Sequence, residues 1–349
     1  MARLDNLLKY ASSIGASDVH VSPDASPMLR LHGLLKQVKG NLYSAQETIS
    51  LIHEILTPAQ KEQFEKNLEL DFCYDAPGVG RFRTNVLKQR KGMQAVFHVI
   101  PSQIPALDTL GFPDVVTSLT RYHQGMILVT GPSGCGKSTT LAALIDHINR
   151  NEKVHIITVE DPIESIHSNQ LASVTQREVK RDTENFTSAL RAALREDPDV
   201  ILIGEMRDLE TVSMAITAAE TGHLVFGTLH TKSAAKTVDR IIDAFPPSKQ
   251  SQIRTMLSES IRAVVCQQLV PRADGKGRVP AYEILLTNMA ISNLIRDGKT
   301  FQIPSVMQLA TKEGMISMDQ CLSKLVASRT ITYDQAVLRA ESKKAIMRV

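Results

Sequence analysis

The sequence has no tryptophan, few other aromatic residues and no closely paired cysteines. Aromatic residues make up 4% of the 349 positions, which disfavours a protein that stacks nucleic-acid bases on aromatic side chains. The four cysteines are widely separated in the chain and form no CxxC pair. This spacing disfavours a zinc ribbon or a disulfide framework and is typical of a reducing compartment.

Long apolar runs are also missing. No run approaches the roughly 20 residues of a membrane-spanning helix, and the N-terminal stretch has no apolar signal core. We therefore expect a cytoplasmic protein. Hydrophobic residues make up 43% of the chain and charged residues 22%, with a formal net charge of +3. These values are ordinary for a globular protein and do not call for a nucleic-acid partner.

The pattern of strands, helices and prolines predicts several structural parts. Short strand-like segments and amphipathic helices predict a small α+β domain over residues 1–100. Three prolines follow closely and predict a linker over 101–113. Strands alternate with helices over 114–270, which predicts an α/β core with a mainly parallel sheet and helices on both faces. Residues 271–349 are expected to form a mostly helical C-terminal lobe.

The helical character is expected to begin before that lobe. From about Ser248 onward the pattern is mostly helical, with VPAYEILL as one late strand.

A phosphate-binding loop is the strongest motif. The segment GPSGCGKS at 131–138 matches G-x-x-x-x-G-K-[ST], between an expected buried strand and an expected helix. Backbone N–H groups of such a loop cradle phosphates, Lys137 supplies positive charge, and Ser138 can ligate Mg²⁺. ATP and Mg²⁺ are the expected ligands. The candidate nucleotide-binding residues are Gly131, Pro132, Ser133, Gly134, Cys135, Gly136, Lys137, Ser138 and Thr139.

Two acidic segments follow predicted apolar strands. DVILIGE ends in Glu205, which could hold Mg²⁺ through water or position the attacking water. ITVEDPIE contains Glu160, Asp161 and Glu164. Hydrolysis needs a carboxylate that orients or deprotonates water near the γ-phosphate. Any single acid of the three could instead be an ordinary loop residue, so the identity of the base stays open.

Two histidines flank one predicted strand in TAAETGHLVFGTLHT. On a continuous strand, His223 and His230 would lie roughly 23 Å apart, which excludes one shared metal ion. His230 leaves the strand at its C-terminal end, where ligands bind in open α/β sheets. We predict that His230 senses the γ-phosphate or contacts a subunit interface. His223 is at the opposite end, so a structural or interface role is the alternative for it.

Four motifs together resemble one family. GPSGCGKSTTLAALID, ITVEDPIE, REDPDVILIGEMRDLET and TAAETGHLVFGTLHT resemble the Walker A, Asp box, Walker B and His box of the secretion ATPases of the type II secretion and type IV pilus class. GASDVHVSP and GRFRTNVLKQRKG resemble the PAS-like N-terminal domain of that class. The resemblance covers nearly the whole chain.

Within the class, the chain is most similar to the pilus-retraction branch. It has the short N-terminal domain of that branch and lacks a four-cysteine zinc module. AISNLIRDGK is similar to the AIRNLIRE motif of the branch, with Ser292 in place of arginine and Asp297 in place of glutamate. The segment EGMISMDQC also resembles a segment of the pilus-retraction branch.

The resemblance implies a fold and a set of site residues. The fold would be a RecA-like P-loop ATPase core with a smaller α+β PAS-like N-terminal domain and a helical C-terminal lobe. Glu164 would activate water, with Glu160 at the start of the Asp box. Glu205 would be the Walker B acid, and Arg81 and Arg83 of RFRTN would reach the γ-phosphate. His223 and His230 would belong to the His box.

The resemblance also implies a function. Such enzymes are homohexameric rings that bind Mg·ATP between domains and couple turnover to inter-domain movement. The expected protein is a pilus-retraction motor, docked peripherally from the cytoplasm on an inner-membrane platform protein, with a paralogous retraction ATPase as a further partner. No nucleic-acid partner is expected.

Three alternatives remain at the sequence level. A pilus extension or type II secretion ATPase would share the same chemistry. A RecA-like nucleic-acid translocase is disfavoured by scarce aromatics and by the absence of a concentrated Lys/Arg tract. A nucleotide-gated switch without hydrolysis is disfavoured by Glu164 and Glu205.

Overall fold

The computed structural model describes residues 2–31, 33–40, 42–101 and 103–346. The chain divides into two compact units, Met1–Gln103 and Ile104–Val349. Each unit is built around its own β-sheet.

The described residues of the N-terminal unit form a six-stranded sheet and three helices. Its elements are α1 (Arg3–Ser13), β1 (Asp18–Val21), β2 (Met28–Leu31), β3 (Leu34–Gln37), α2 (Ala45–Ile55), α3 (Pro58–Asn67), β4 (Glu69–Ala76), β5 (Gly80–Gln89) and β6 (Gly92–Ile100). The strand order is β3-β2-β1-β6-β5-β4, and every neighbouring pair is antiparallel. This is the α+β architecture that the sequence predicts for this part of the chain.

Local sequence explains how these helices begin and where they pack. Ser44 and Glu47 form a reciprocal capping box at the start of α2, with the Ser44 N–H donating to Glu47 Oε2 at 2.8 Å. Helix α1 buries Leu4 and Leu8. Its fully buried Asp5 accepts a hydrogen bond from the Tyr74 hydroxyl of β4 at 2.7 Å, which fixes the helix to the sheet.

The second unit is larger and follows an α/β plan. Its helices and strands are α4 (Asp114–Ser118), β7 (Gly125–Thr130), α5 (Lys137–Asn151), β8 (His155–Glu160), β9 (Ser173–Glu178), α6 (Phe186–Ala193), β10 (Val200–Ile203), α7 (Leu209–Glu220), β11 (Leu224–Leu229), α8 (Ala234–Asp243), α9 (Pro247–Ser260), β12 (Ile261–Pro271), β13 (Arg278–Leu286), α10 (Met289–Arg296), α11 (Ile303–Leu309), α12 (Met318–Ala327) and α13 (Tyr333–Val337). Short 3₁₀ helices occupy Leu107–Leu110, Leu119–Arg121, Thr300–Gln302, Thr311–Glu313 and Lys343–Ala345.

The sheet of this unit has the order β13-β12-β7-β11-β10-β8-β9. All neighbouring strands are parallel except β12 and β13. Strands β7, β10 and β11 are buried at every residue, as continuous apolar strands of a covered parallel sheet are. Met126 and Leu128 of β7 belong to the core under α6 to α11, whereas Ile127 and Val129 belong to the core under α5 and α12. Helices therefore cover both faces, as predicted.

Two strands were not expected from the sequence. The mostly helical pattern predicted after Ser248 is wrong for Ile261–Pro271, which form β12 and pair with both β7 and β13. Its apolar residues form short stretches, AVVC and LV, separated by polar residues, and stretches this short do not distinguish a buried strand from a buried helix. Strand β9 was missed because it is a half-exposed strand at one end of the sheet without apolar alternation.

A buried acid connects the sheet to two helix starts. Glu283 of β13 is only 5% exposed, and its carboxylate accepts hydrogen bonds from the N–H groups of Ala234 at 2.7 Å and Met318 at 3.3 Å. These are the first residues of α8 and α12. Burial disfavours the charged form and raises the pKa of Glu283 to about 7, despite the two hydrogen bonds.

Helix α10, which contains most of the AISNLIRDGK motif, packs on α9. Ser292 of α10 donates a hydrogen bond from its hydroxyl to the Ser258 carbonyl at 2.9 Å, so this position is tied to the preceding helix. Among the residues that the structure describes, no helix has the length and hydropathy needed to span a bilayer.

Candidate active site

The segment predicted to bind phosphate connects strand β7 to helix α5, which is the strand–loop–helix order that the sequence predicts. The strand ends at Thr130 and the helix begins at Lys137. Gly136, the residue before the helix, has φ +91°, a left-handed conformation that glycine adopts without steric cost. The loop therefore leads directly into the N-terminus of a 15-residue helix.

The side chains and backbone here suit a nucleotide phosphate. Lys137 Nζ donates to the carbonyl oxygens of Gly131 at 2.9 Å and Pro132 at 3.1 Å, which holds the ammonium over the loop. Ser138 and Thr139 are exposed in the first turn of α5, where helical N–H groups have no intrahelical acceptor. N–H donors, an ammonium group and a hydroxyl ligand are the groups that Mg·ATP requires, so these residues fit it.

The parallel sheet brings several motifs to one edge. Strands β8, β10, β11 and β7 are consecutive neighbours, so their carboxyl ends lie side by side. The Gly131 N–H donates to the Leu229 carbonyl at 3.3 Å, and the Gly204 N–H donates to the Val159 carbonyl at 2.8 Å. The residues that end or follow these strands include Glu160, Glu205 and His230. They share the edge of the sheet at which open α/β folds bind ligands.

Glu205 and His230 are in direct contact at this edge. His230 Nε2 lies 3.2 Å from Glu205 Oε1, and Arg207 Nε lies 2.5 Å from the same oxygen. Burial disfavours the charged form of Glu205, but the hydrogen bond and charge of Arg207, followed by the charge of His230, outweigh it. The charge of Lys137 acts in the same direction. The pKa of Glu205 is therefore held below its ordinary value, and the carboxylate is ionised at neutral pH.

The three acids of the Asp box have different surroundings. Glu160 Oε1 accepts hydrogen bonds from Thr158 Oγ1 at 2.7 Å and Gln176 Nε2 at 3.3 Å. Asp161 is exposed and pairs with Lys180 Nζ at 3.2 Å. Glu164 is half-buried in the loop that follows. Two hydrogen bonds thus fix the position of the Glu160 side chain, and Asp161 forms an ion pair with Lys180.

Three predicted site residues belong to other elements of the structure. His223 precedes β11, so it lies at the opposite edge of the sheet, where its Nδ1 is 3.0 Å from the Ala218 carbonyl oxygen. Arg81 and Arg83 lie on β5 of the N-terminal unit. Arg81 Nε donates to Asp75 Oδ1 at 2.6 Å.

Two residues at the site were missed from the sequence. Arg207 follows Glu205 by two positions, but an arginine in a polar stretch gives no signal that separates an ion-pair partner from a solvated side chain. Gln267 contacts the phosphate-binding loop from β12. Its segment was predicted to be helical, so its position beside the loop could not be inferred.

The chain matches known proteins along almost its full length. It matches the family described as type II/IV secretion system protein over residues 2–349. It is 47% identical over 338 residues to the type IV pilus retraction ATPase PilT of Pseudomonas aeruginosa, covering 97% of this chain and 98% of that protein. It is also 47% identical over 321 residues to a twitching motility protein of Neisseria gonorrhoeae, covering 92% of this chain and 86% of that protein.

A solved structure has the same fold. The crystal structure of the pilus retraction motor PilT with bound ADP matches with a TM-score of 0.90 and 45% identity, covering 99% of this chain and 98% of that one. The predicted RecA-like α/β core, with its α+β N-terminal part and helical C-terminal lobe, is confirmed. The resemblance to the pilus-retraction branch is confirmed as well. This protein is an ATP hydrolase and belongs to the type II/IV secretion system protein family.

Proposed function

We propose that this protein is a homohexameric, Mg²⁺-dependent motor that uses ATP hydrolysis to power type IV pilus retraction. The observation that carries the proposal is its similarity, over nearly the entire chain, to a pilus retraction ATPase and a twitching motility protein. The contact between Glu205 and His230 at the carboxyl edge of the parallel sheet supports the proposal.

The proposed nucleotide site is the loop and the first turn of α5. Its binding residues are Gly131, Pro132, Ser133, Gly134, Cys135, Gly136, Lys137, Ser138 and Thr139. Lys137 would move its ammonium from the loop carbonyls to phosphate oxygens. Ser138 and Glu205 would hold Mg²⁺, directly or through water. The metal would neutralise charge on the phosphate oxygens.

The proposed catalytic residues orient water and stabilise charge. Glu164 activates the attacking water, and the anchored Glu160 supports the Asp box beside it. His230 reports the γ-phosphate through its contact with Glu205. Arg81 and Arg83 supply positive charge as arginine fingers do. His223, at the other edge of the sheet, serves a structural or interface role.

The proposed motor couples turnover to movement between its parts. These are a PAS-like N-terminal domain at 1–100, a linker at 101–113, the ATPase core at 114–270 and the C-terminal lobe at 271–349. We propose that the ring acts in the cytoplasm, docked on an inner-membrane platform protein and assisted by a paralogous retraction ATPase. No nucleic acid takes part.

Deletion of the gene tests the proposal. Hyperpiliated cells that do not twitch are expected, and the wild-type gene should restore twitching while a Lys137→Ala variant should not. Bald cells after deletion would contradict retraction. In that case restored piliation of an extension mutant by this gene would identify an extension ATPase instead.

A further inference from the structure

We propose that Gln267 is a positioning residue for ATP hydrolysis, which holds the phosphate-binding loop in its working shape from the neighbouring strand β12. The proposal rests on the assignment of residues 131–139 as the nucleotide site. Gln267 lies outside that segment and touches none of the expected substrate atoms in this role. It acts through the loop that it holds.

The side chain of Gln267 bridges two parts of the loop region. Its Nε2 donates to the Cys135 carbonyl oxygen at 2.8 Å, and its Oε1 accepts from Thr140 Oγ1 at 2.9 Å. Cys135 belongs to the loop and Thr140 to the first turn of α5. The two attachment points therefore bracket Lys137 and Ser138, the residues proposed to meet phosphate and Mg²⁺.

The orientation of this amide is set by its partners. A carbonyl oxygen only accepts hydrogen bonds, so the Cys135 carbonyl requires the NH₂ end of Gln267. The Thr140 hydroxyl then donates to the remaining oxygen. Gln267 is 2% exposed and Thr140 is 2% exposed. Water is therefore a poor substitute for either bond, and their loss leaves buried polar groups without partners.

The backbone of β12 also limits the shape of the loop. A Cβ atom on Gly131 would lie 2.3 Å from the Gln267 carbonyl oxygen and 2.7 Å from Cys135 Sγ. A Cβ atom on Gly136 would lie 3.3 Å from Gln267 Nε2. Both ends of the loop thus pack directly against Gln267. Glycine is required at Gly131 because backbone occupies the space that a side chain would need.

These contacts predict that replacing Gln267 lowers kcat/KM for ATP more than it lowers the stability of the fold. Phosphate binding needs several N–H groups and one ammonium at fixed positions, and small misplacements of reacting groups reduce rates strongly. Gln267→Met keeps the length of the side chain and removes both hydrogen bonds. We expect it to lower kcat/KM for ATP about tenfold, the effect of one to two lost hydrogen bonds.

The test compares kinetics with melting in the full-length protein. Steady-state ATP hydrolysis and the melting temperature are measured for Gln267→Met and for Gln268→Met, a matched control at the next position, whose side chain faces the other side of β12. Lower kcat/KM for Gln267→Met alone, with both variants folded at the assay temperature, supports the proposal. Equal kcat/KM for both variants overturns it.

A double-variant cycle separates the hydrogen bond from a general packing effect. Thr140→Val removes the same bond from the α5 side at nearly constant volume. If the bond positions the loop, the losses of kcat/KM from Thr140→Val and Gln267→Met are less than additive. Fully additive losses overturn the proposal. Thr140→Val alone decides the matter if Gln267→Met does not fold: a lower kcat/KM supports the proposal, and an unchanged value overturns it.

One further variant distinguishes this inference from the assignment of the site. Lys137→Ala should abolish ATP hydrolysis if residues 131–139 bind the nucleotide. Hydrolysis that survives Lys137→Ala would overturn the site and the inference together. Loss of hydrolysis in Lys137→Ala, with Gln267→Met unchanged, would overturn only the role of Gln267.

Discussion

His230 and Glu205 meet across the edge of the parallel sheet, with His230 Nε2 3.2 Å from Glu205 Oε1. The first residue follows β11 and the second follows β10, and these strands are hydrogen-bonded neighbours. The same carboxylate oxygen contacts Arg207. Glu205 thus contacts two basic side chains and also experiences the charge of Lys137. Each of the two contacts can be removed by a separate substitution.

Replacing Glu205 by glutamine should slow hydrolysis more than it weakens binding. The substitution keeps the size of the side chain but removes the charge that would hold Mg²⁺ or orient water. We expect kcat to fall about 100-fold, with a small change in the Kd of a fluorescent ADP analogue. Glu210→Gln, an exposed acid on α7, is the control and should match the wild type. Equal losses of binding and turnover in Glu205→Gln would contradict a catalytic role.

The two histidines should behave differently on substitution. His230→Ala removes one of the two basic partners of Glu205 and should lower ATP hydrolysis about tenfold while leaving ATP affinity nearly intact. His223→Ala is the matched control, because His223 flanks the same strand at the opposite edge of the sheet. Hydrolysis and nucleotide binding are measured for both. A parallel loss of binding and hydrolysis in His230→Ala would indicate a folding role instead.

Arg207 should affect the pH dependence of the reaction. Its hydrogen bond and charge help to hold the pKa of Glu205 below the ordinary value, so Arg207→Ala should raise that pKa. If ATP hydrolysis requires the ionised carboxylate of Glu205, acidification should then abolish the activity of Arg207→Ala at a higher pH than that of the wild type. The acid limb of the kcat/KM profile is measured for Arg207→Ala and for Arg207→Lys, which keeps the charge. An acid limb at the same pH in both variants and the wild type would exclude this coupling.

Glu283 should make stability depend on pH. Its pKa is about 7 in the folded protein and 4.5 when unperturbed, so the folded state binds more protons between these values. The contribution of this group to stability therefore falls as the pH rises from about 4.5 to 7, by up to about 3 kcal/mol. Glu283→Gln lacks this titration.

Thermal melting at pH 5 and pH 7.5 checks the expectation for Glu283. The stability of Glu283→Gln relative to the wild type should increase toward pH 7.5. Glu184→Gln, an exposed acid in the same unit, should show no such trend. A constant difference between Glu283→Gln and the wild type at the two pH values would show that Glu283 does not titrate in this range.

Features that depend on nearby residues could be predicted from the sequence. The phosphate-binding loop follows an apolar strand and precedes a helix, and both neighbours are local in the chain. The placement of His230 at the carboxyl end of β11 follows from the strand alone. The alternation of strands and helices predicted the α/β core, and the family resemblance added its RecA-like type and the roles expected of Glu164, Arg81 and Arg83, which spacing alone did not give.

Features that depend on distant residues could not be predicted. Strand β12 pairs with β7 although more than one hundred residues separate them, and this pairing brings Gln267 within 2.8 Å of the Cys135 carbonyl oxygen. The short apolar stretches of β12 contain no local sign of the partner strand. The contact of Arg207 with Glu205 depends on how the chain leaves β10, and that direction is set by packing.

The Glu283 carboxylate accepts a hydrogen bond from the first residue of α8 and from the first residue of α12. This shared acceptor has a mechanical consequence. Separating the two helix starts would leave the N–H of Ala234 or Met318 buried without an acceptor, at a cost of about 1–3 kcal/mol. Helix α8 begins only a few residues after His230. The hydrogen bonds of Glu283 therefore couple the starts of α8 and α12 and resist a displacement of one helix relative to the other.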